Sequence, residues 1–236
     1  MWNGKKKAVT FSFDDGVLQD VRLINILDKY GLKATFNLNA GKFGTKWPYE
    51  ANGKTIERTL IEPWQVKELY KNHEVAGHTI GHFNLTELPD SCITWQVEED
   101  RMLLEKLTGK DVCCMAYPCG DVDDRVVNVI KNTSSIRLAR TVISTYSFDI
   151  QDNLLLFHPT IHFRDEKLFE MAEHFIALTT EEPKTFYIWG HAYELDAVDG
   201  AWERFERFCR LISKRKDIFY GTNKEVCLFG ENTVNE

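Results

Sequence analysis

The sequence predicts an α/β fold in which a parallel sheet is covered by helices, as a single layer or a barrel. Short β-rich runs alternate with longer helical patterns along the whole chain, and this alternation is typical of parallel sheets. The 236 residues contain no low-complexity linker and no internal repeat. We therefore expect one domain over residues 1–236, since barrels reach this length as single units.

The elements follow one another in a regular order. The predicted strands are residues 8–13, 33–38, 112–117, 154–161 and 185–189. The predicted helices are residues 17–30, 63–72, 94–107, 123–131, 165–178 and 200–214. In the first helix Leu23, Ile24 and Leu27 share one apolar face, as an amphipathic helix requires. The longest stretch without either pattern, residues 39–61, is predicted to be a surface loop near a site.

Composition and charge exclude several classes of protein. Hydrophobic residues make up 43% and charged residues 28% of the chain, which disfavours disorder and membrane embedding. With 29 basic and 36 acidic residues the net charge is -7, so we expect no nucleic-acid partner. No apolar stretch approaches the length of about 18 residues that predicts a membrane span.

The beginning of the chain and the cysteines bear on location. The first 13 residues include lysines but no apolar core of a signal peptide, so a cytoplasmic location is expected. An extracellular location would follow if a leader had been removed. The six cysteines are scattered, without a CxxC pair, and are expected to be reduced thiols.

Polar clusters stand where four strands are expected to end. They are Asp14-Asp15-Gly16, residues 78–82, residues 117–120, and Gly190-His191. Parallel strands place their carboxyl ends at one edge, which is where active sites form in such sheets. This co-location is the main functional signal in the sequence.

The first two clusters favour a metal site. Adjacent carboxylates at Asp14 and Asp15 repel each other unless a cation holds one ionised. His78 and His82 are four residues apart, which on one helical turn would place both imidazoles on the same face. Two histidines and one of the carboxylates would leave an open position, as in catalytic zinc sites. The alternatives are a helix N-cap with a first-turn acid, and two exposed helix histidines.

The other two clusters are less specific taken alone. The turn at residues 117–120 could direct backbone N–H groups into a cleft and stabilise an oxyanion, or be an ordinary turn. His191, at the end of an apolar strand, could be a general acid because its unperturbed pKa is about 6.5. The alternative is a partly buried histidine with a local hydrogen bond.

Together these motifs resemble a known family. FSFDDG at residues 11–16, GHTIGH at 77–82 and YPCG at 117–120 occur, with the late strand that ends in His191, in the order seen in polysaccharide deacetylases. This is the NodB-homology group, carbohydrate esterase family 4. The resemblance runs from about residue 7 to about residue 195. It implies a distorted (β/α) barrel with a metal site at the carboxyl ends of the strands.

The resemblance also implies a role for each matching residue. Asp15, His78 and His82 match the metal ligands, for which Zn²⁺ is expected. Two groups match the acid–base pair, with Asp14 as the base and His191 as the acid. The backbone N–H of Cys119, which stands where a tyrosine is usual, would serve the oxyanion hole. For substrate binding we expect Tyr117 and Trp189, and a sugar platform is an alternative use of the aromatic residues Trp47, Tyr49, Trp64 and Trp189.

Two departures from the family pattern leave partners unassigned. Ala116 stands where many members have an arginine that contacts the base, so the residue that orients Asp14 is not apparent. The aspartate that orients the acid histidine is not apparent either, and Asp149 and Asp152 are the candidates. His158 and His162, four apart, could share one face of a strand near the site.

These expectations define a function with two alternatives. The main one is metal-dependent hydrolysis of an N- or O-acetyl group on a carbohydrate, with metal-activated water as nucleophile. One alternative is a hydrolase of a small-molecule amide on the same scaffold, favoured by the missing leader and reduced cysteines. The other is a non-catalytic carbohydrate-binding relative, which the intact set of motifs disfavours.

Overall fold

Strand β1 (Lys7–Asp15) is central to the fold, and all nine of its residues are buried. A strand buried on both faces is typical of a parallel sheet with covering layers. In the computed structural model, which describes residues 1–229, nine further strands follow. They are β2 (Ala34–Leu38), β3 (Lys46–Ala51), β4 (Lys54–Thr59), β5 (Glu74–Gly77), β6 (Cys114–Ala116), β7 (Leu138–Arg140), β8 (Ile161–His162), β9 (Lys184–Gly190) and β10 (Ile218–Tyr220).

Seven α-helices lie between or after these strands in the described residues. They are α1 (Asp20–Tyr30), α2 (Val66–Leu69), α3 (Asp90–Thr108), α4 (Asp124–Thr133), α5 (Leu168–Ala177), α6 (Ala201–Ile212) and α7 (Asn223–Cys227). Local signals set their ends. The residue after α3, Gly109, has φ 71° and donates to the carbonyl of Glu105, as a left-handed glycine cap does. The Asp123 carboxylate accepts the Val126 N–H at 2.8 Å and begins α4.

Eight strands form one parallel sheet that curls into a half-barrel. The order is β7-β6-β5-β2-β1-β9-β8. Strand β10 lies on the same side of β1 as β2: it pairs with the first residues of β1, and β2 pairs with the later ones. Phe157 pairs with β7 at one end of the strand order. The chain then crosses to the other end, where β8 pairs with β9. The predicted parallel sheet covered by helices, and the distorted barrel implied by the family resemblance, are confirmed.

Aromatic residues fill the space between the sheet and one helical layer. Phe11 and Phe13 of β1 lie 6.3 Å apart, and both rings meet Phe205 of α6 edge-on at 6.3 and 5.9 Å. Edge-to-face contact at this separation is favourable because the ring edge is positive and the face negative. This packing makes β1 a rigid support for the two carboxylates at its end.

The predicted loop at residues 39–61 is wrong in part, because it contains the antiparallel hairpin of β3 and β4. The turn is Asn52-Gly53, with φ of 52° and 71°. Asn-Gly between two strands is the strongest short-range hairpin signal, because both residues tolerate positive φ. The sequence of β3 carries a second signal, because Trp47, Tyr49 and Ala51 alternate with Lys46, Pro48 and Glu50, and the structure half-buries the first set and exposes the second.

Several short elements also differ from the prediction. Residues Leu154–Leu156 form a 3-10 turn, not a strand, and the predicted helix at 63–72 is reduced to a 3-10 turn and the four residues of α2. Strands β5, β7 and β10 were not predicted. They have only three or four residues each, which is too short to show a period. None of the helices described is both long and apolar enough to cross a bilayer.

Candidate active site

The four polar clusters meet at the carboxyl end of the sheet. Asp14 and Asp15 are the last residues of β1. His78 directly follows β5, and His191 directly follows β9. Cys119 lies in a 3-10 turn after β6. The sheet brings these groups together because β1, β5, β6 and β9 are parallel, so their carboxyl ends face the same side.

Asp15, His78 and His82 form a compact set of three potential ligands. The Asp15 Oδ1 atom is 3.7 Å from His78 Nε2 and 3.5 Å from His82 Nε2. It is buried and has no hydrogen-bond donor within the described part of the chain. Ligand atoms at bond lengths near 2.0–2.2 Å around a tetrahedral ion lie about 3.3–3.6 Å apart. The residues therefore fit a divalent cation, which would satisfy the orphaned oxygen.

Backbone contacts fix the orientation of His78. Its Nδ1 lies 2.8 Å from the carbonyl of Ala116, which leaves Nε2 directed at Asp15. Burial lowers the pKa of His78 to about 4, against the raising effect of Asp14. The ring is therefore neutral at ordinary pH, as a metal ligand must be. Ala116 thus contributes to the site through its backbone carbonyl group and not through its side chain.

The two histidines do not lie on a helical turn, so the expected helical spacing is wrong. They flank a loop in which Thr79 and His82 have φ of 63° and 57°. Asp15 at 79° and Cys119 at 59° are also positive. Residues other than glycine pay a steric cost in this region, and such strain concentrates at functional sites. The loop brings the imidazoles together through backbone turns instead of helical periodicity.

Arg140 is the missing partner of Asp14. Its Nη2 donates to Asp14 Oδ1 at 2.6 Å and also to Oδ2. The arginine is 1% exposed. It ends β7, whose register places Arg140 directly beside Ala116 of β6. The arginine expected at position 116 is therefore supplied by the neighbouring strand, at the same level of the sheet.

This contact decides the charge of Asp14. Burial by itself would raise the pKa of the carboxyl, but the Arg140 charge and hydrogen bond, with His78 and His191 nearby, lower it to about 2. Asn37 of β2, which lies beside Asp14 in the sheet, donates to Asp14 Oδ1 at 2.8 Å. Asp14 is thus an ionised carboxylate, held in one orientation.

Glu194 is the carboxylate that faces His191. Its Oε1 is 3.7 Å from His191 Nδ1, and its Oε2 is 3.1 Å from His162 Nε2. Arg164 approaches the same carboxylate at 3.5 Å. The other nitrogen of His191, Nε2, lies 3.8 Å from Asp14 Oδ2. The imidazole therefore stands between Glu194 and Asp14.

The carboxylates around His191 keep it protonated. Burial lowers its pKa, but Glu194, Asp15 and Asp14 outweigh burial and raise the pKa to about 9. Glu194 follows His191 by three residues within a single turn. That spacing was visible in the sequence, yet the expected partner was an aspartate elsewhere.

Neither expected aspartate reaches His191. Asp149 pairs with Lys184 at 2.6 Å, at the opposite end of β9 from His191, and Asp152 is exposed. The two histidines predicted to share one face of a strand, His158 and His162, have different partners. The His158 ring lies 2.6 Å from the Thr141 hydroxyl, whereas His162 reaches Glu194.

The predicted substrate-binding aromatic residues are placed differently from one another. The Tyr117 side chain is buried and donates to the Leu155 carbonyl at 2.7 Å, so its hydroxyl is not free for a ligand. Trp189 is also buried, and its ring lies 4.6 Å from the Arg140 guanidinium. Trp47 and Tyr49 lie on β3, whereas Trp64 is 78% exposed.

His162, His191 and Glu194 also come close enough to share an ion. Here, however, Arg164 already approaches Glu194, and His162 has a 3.1 Å contact with it. A cation would be repelled by the guanidinium and would displace existing contacts. The set that includes the orphaned Asp15 oxygen fits a metal better.

Comparisons with known proteins agree with this architecture. A family model described as polysaccharide deacetylase matches residues 2–135. Among solved structures, a mutant of a carbohydrate esterase family 4 pseudoenzyme with restored activity has a TM-score of 0.59 and 18% identity, covering 95% of this chain and 68% of that one. The wild-type pseudoenzyme comes from Bacillus anthracis. No curated protein sequence matches the chain.

Two further structures are similar over almost their whole length. The esterase domain of a multidomain xylanase, from the hindgut metagenome of Trinervitermes trinervoides, has a TM-score of 0.58 and 15% identity, covering 98% of this chain and 93% of that one. A family 4 carbohydrate esterase from Streptomyces lividans, in complex with acetate, has a TM-score of 0.55 and 14% identity, with 89% of each chain covered. At these identities the likeness shows a shared fold.

Proposed function

The chain belongs to the polysaccharide deacetylase family, and on this premise we propose that it removes an acetyl group from a carbohydrate by hydrolysis. We assign the activity to a single deacetylase domain over residues 1–236. The observation that carries the proposal is the buried Oδ1 of Asp15, which lies between two histidine nitrogens and has no hydrogen-bond partner among residues 1–229. Such an atom is costly to bury unless a ligand satisfies it.

The metal ligands in this proposal are Asp15, His78 and His82. Two imidazoles and one carboxylate suit Zn²⁺, which is bound in catalytic sites by three protein ligands. When bound, the ion supplies Lewis acidity and lowers the pKa of a water molecule. The protein contributes the orientation of the ligands, through the Ala116 carbonyl behind His78.

Asp14 and His191 are the proposed acid–base pair. Asp14 is ionised and therefore able to accept a proton from the attacking water, while Arg140 holds the carboxylate in place. His191 is protonated and able to donate to the leaving nitrogen or oxygen. The two side chains are 3.8 Å apart, so both act at one reacting carbon. The Cys119 N–H, in its left-handed turn, is proposed to hold the developing oxyanion.

The test combines metal analysis with acetate release from acetylated oligosaccharides. We expect bound zinc in the purified protein, and loss of acetate release on chelation. Asp14→Asn should retain the metal and lose about 10²–10⁴-fold in turnover, the usual contribution of a general base. Asp111→Asn is the control, because Asp111 is exposed and precedes β6, at the other end of the sheet.

Three results would contradict the proposal. Near-normal turnover by Asp14→Asn with metal bound would show that Asp14 is not the general base. Sugar binding without acetate release, even with metal added, would indicate a non-catalytic relative instead. Release of acetate from small amides but from no sugar would indicate the alternative hydrolase on the same scaffold.

A further inference from the structure

The β3–β4 hairpin brings a guanidinium to the edge of the site. Arg58 of β4 stands opposite Trp47 of β3. Its guanidinium carbon is 4.9 Å from the Trp47 ring centre, 5.6 Å from that of Tyr49 and 4.9 Å from that of Tyr193. A cation over aromatic faces at these distances is attracted by the ring quadrupoles. Three rings therefore hold Arg58 in one place.

The hairpin itself is anchored at both ends, so Arg58 is positioned before any ligand arrives. At its base, the Leu18 N–H donates to Thr59 O at 2.9 Å, and the Ile61 N–H donates to Gly16 O at 2.9 Å. Near its tip, Lys54 pairs with Asp199 at 2.6 Å. The guanidinium is thus fixed relative to the end of β1.

Within the described part of the chain, most N–H donors of Arg58 have no close acceptor. Its Nη1 is 3.9 Å from Asp15 Oδ2 and 3.4 Å from the Tyr193 hydroxyl, both long for hydrogen bonds. Its Nε is buried with no acceptor among residues 1–229. Guanidinium has five N–H donors in a rigid fork, and a buried donor without a partner is unfavourable. A ligand that carries a hydrogen-bond acceptor would satisfy these donors.

The charge around the site favours an anionic ligand. Three carboxylates face three guanidinium groups there: Asp14, Asp15 and Glu194, and Arg58, Arg140 and Arg164. Counted over these six side chains, the charges cancel, so a bound divalent ion would leave an excess of about two positive charges, before any contribution from His191. Asp121 and Glu87, whose charges act on Cys119, reduce this excess. The field of this excess attracts negative substrates. Lys42, with Nζ 4.4 Å from the Trp47 ring centre, adds to it.

We propose that Arg58 binds a carboxylate of the substrate, which is then an acetylated sugar acid and not a neutral sugar. The inference rests on the proposed function, since it names the substrate class of the same site. Carboxylates and phosphates both match the planar fork of a guanidinium and form two parallel hydrogen bonds with it, and the carboxylate is the anion proposed here. Arg140 and Arg164 are nearer to protein carboxylates, at 2.6 and 3.5 Å, so Arg58 is the better placed receptor.

Binding of a matched ligand pair to zinc-loaded protein tests the inference. The probes are N-acetylmuramic acid and its methyl ester, which differ in the carboxylate charge and little else. We expect calorimetry to show the acid binding at least about tenfold more tightly than the ester. Arg58→Gln should remove this preference, whereas Arg58→Lys, which keeps the charge without the fork, should keep part of it.

Arg22→Gln is the matched control. Arg22 also stacks on a tryptophan, Trp202, at 4.4 Å and also has a 3.9 Å contact with a carboxylate, that of Glu203, but it lies on α1. It should keep the full preference for the acid. Unfolding curves of Arg58→Gln establish that the variant is folded.

The inference is overturned if wild-type protein binds the acid and the ester equally or binds neither. It is also overturned if Arg58→Gln weakens both ligands alike, since Arg58 would then only support the hairpin. Acetate release is scored separately on both compounds and on neutral oligosaccharides. Acetate release from neutral sugars, without preferential binding of the acid, would overturn the inference and leave the deacetylase proposal intact. Preferential binding of the acid without acetate release would support the role of Arg58 and contradict the deacetylase proposal.

Discussion

Two charged residues hold the proposed base and acid in opposite protonation states. Arg140 lowers the pKa of Asp14 to about 2, although burial opposes it, and Glu194 helps to raise the pKa of His191 to about 9. Groups in one site whose pKa values are pushed apart are suited to separate acid and base roles. Both partners come from positions at which the family pattern did not place them.

Glu194→Gln should shift the alkaline limb of the pH–rate profile. As the proposed acid, His191 can donate a proton only while protonated, so kcat/KM is expected to fall as pH rises through its pKa. Removing the Glu194 charge removes a group that stabilises the imidazolium, and the limb should move to lower pH by about one unit or more. The measurement is kcat/KM against pH with zinc saturating.

The control for this shift is Glu182→Gln. Glu182 contacts Lys184 at the start of β9, at the other end of the strand from His191. Its alkaline limb should coincide with that of wild type. An unmoved limb in Glu194→Gln would mean that another group donates the proton, or that Glu194 does not set its pKa.

At the scale of elements, helix α3 holds the loop that carries the histidines. Asp100, in the middle of α3, accepts the His78 N–H at 2.9 Å and the Ala40 N–H at 2.7 Å. Gln96, one turn earlier, accepts the Gly81 N–H at 3.0 Å. The helix thus supplies acceptors for backbone groups that the irregular loop cannot pair itself.

Asp100→Asn should weaken metal binding without unfolding the protein. The amide offers one acceptor and one donor group, so one of the two backbone N–H groups would face an NH₂ group instead of an oxygen. The loop would then shift His78. A loss of about 10–100-fold in zinc affinity is expected, as for other groups that support metal ligands, measured by competition with a chromophoric chelator.

Asp90→Asn is the comparison on the same helix. Asp90 begins α3, is exposed, and pairs with Arg125 at 2.7 Å. Its zinc affinity should stay within about twofold of wild type. Equal affinities in the two variants would show that α3 does not position the metal ligands.

At the scale of the whole molecule, the formal charge of -7 overstates the negative charge of the folded protein. Burial raises the pKa of Asp100 to about 7 and that of Asp20 to about 8, although Tyr70 donates a 2.6 Å hydrogen bond to Asp20. Both carboxyls are fully buried. The folded chain therefore retains protons that the unfolded chain releases.

Asp20→Asn should change how stability depends on pH. The pKa of Asp20 is about 8 in the folded protein, against 3.8 for an unperturbed aspartate such as that of the unfolded chain. Between these values the folded state holds the extra proton, so its stability falls as pH rises, by up to about 1.4 kcal/mol per pH unit. The variant lacks this slope and should gain on wild type between about pH 5 and pH 7.

Urea unfolding of metal-free protein at the two pH values measures this difference. The control is Asp124→Asn, because Asp124 begins α4 as Asp20 begins α1 but is exposed. It should follow the wild-type slope. A parallel pH dependence of Asp20→Asn and wild type would mean that Asp20 is ionised in the folded state.

The sequence carried most of the information on the fold where elements were long. Helices α3 and α6 and strand β1 show their periods or apolar runs over nine or more residues. The three- and four-residue strands could not be found in this way, because pairing with neighbours, not local pattern, makes them strands. The hairpin was an exception, since its Asn52-Gly53 turn was a readable signal.

The sequence by itself determined which groups are candidates for the chemistry, because local order puts Asp14, Asp15, His78 and His191 directly at strand ends. Only the tertiary structure decided their partners. Arg140 reaches Asp14 across 126 positions of chain, and a hydrogen bond depends on distance in space, not separation in sequence. The parallel sheet sets that distance by register, which no local pattern records.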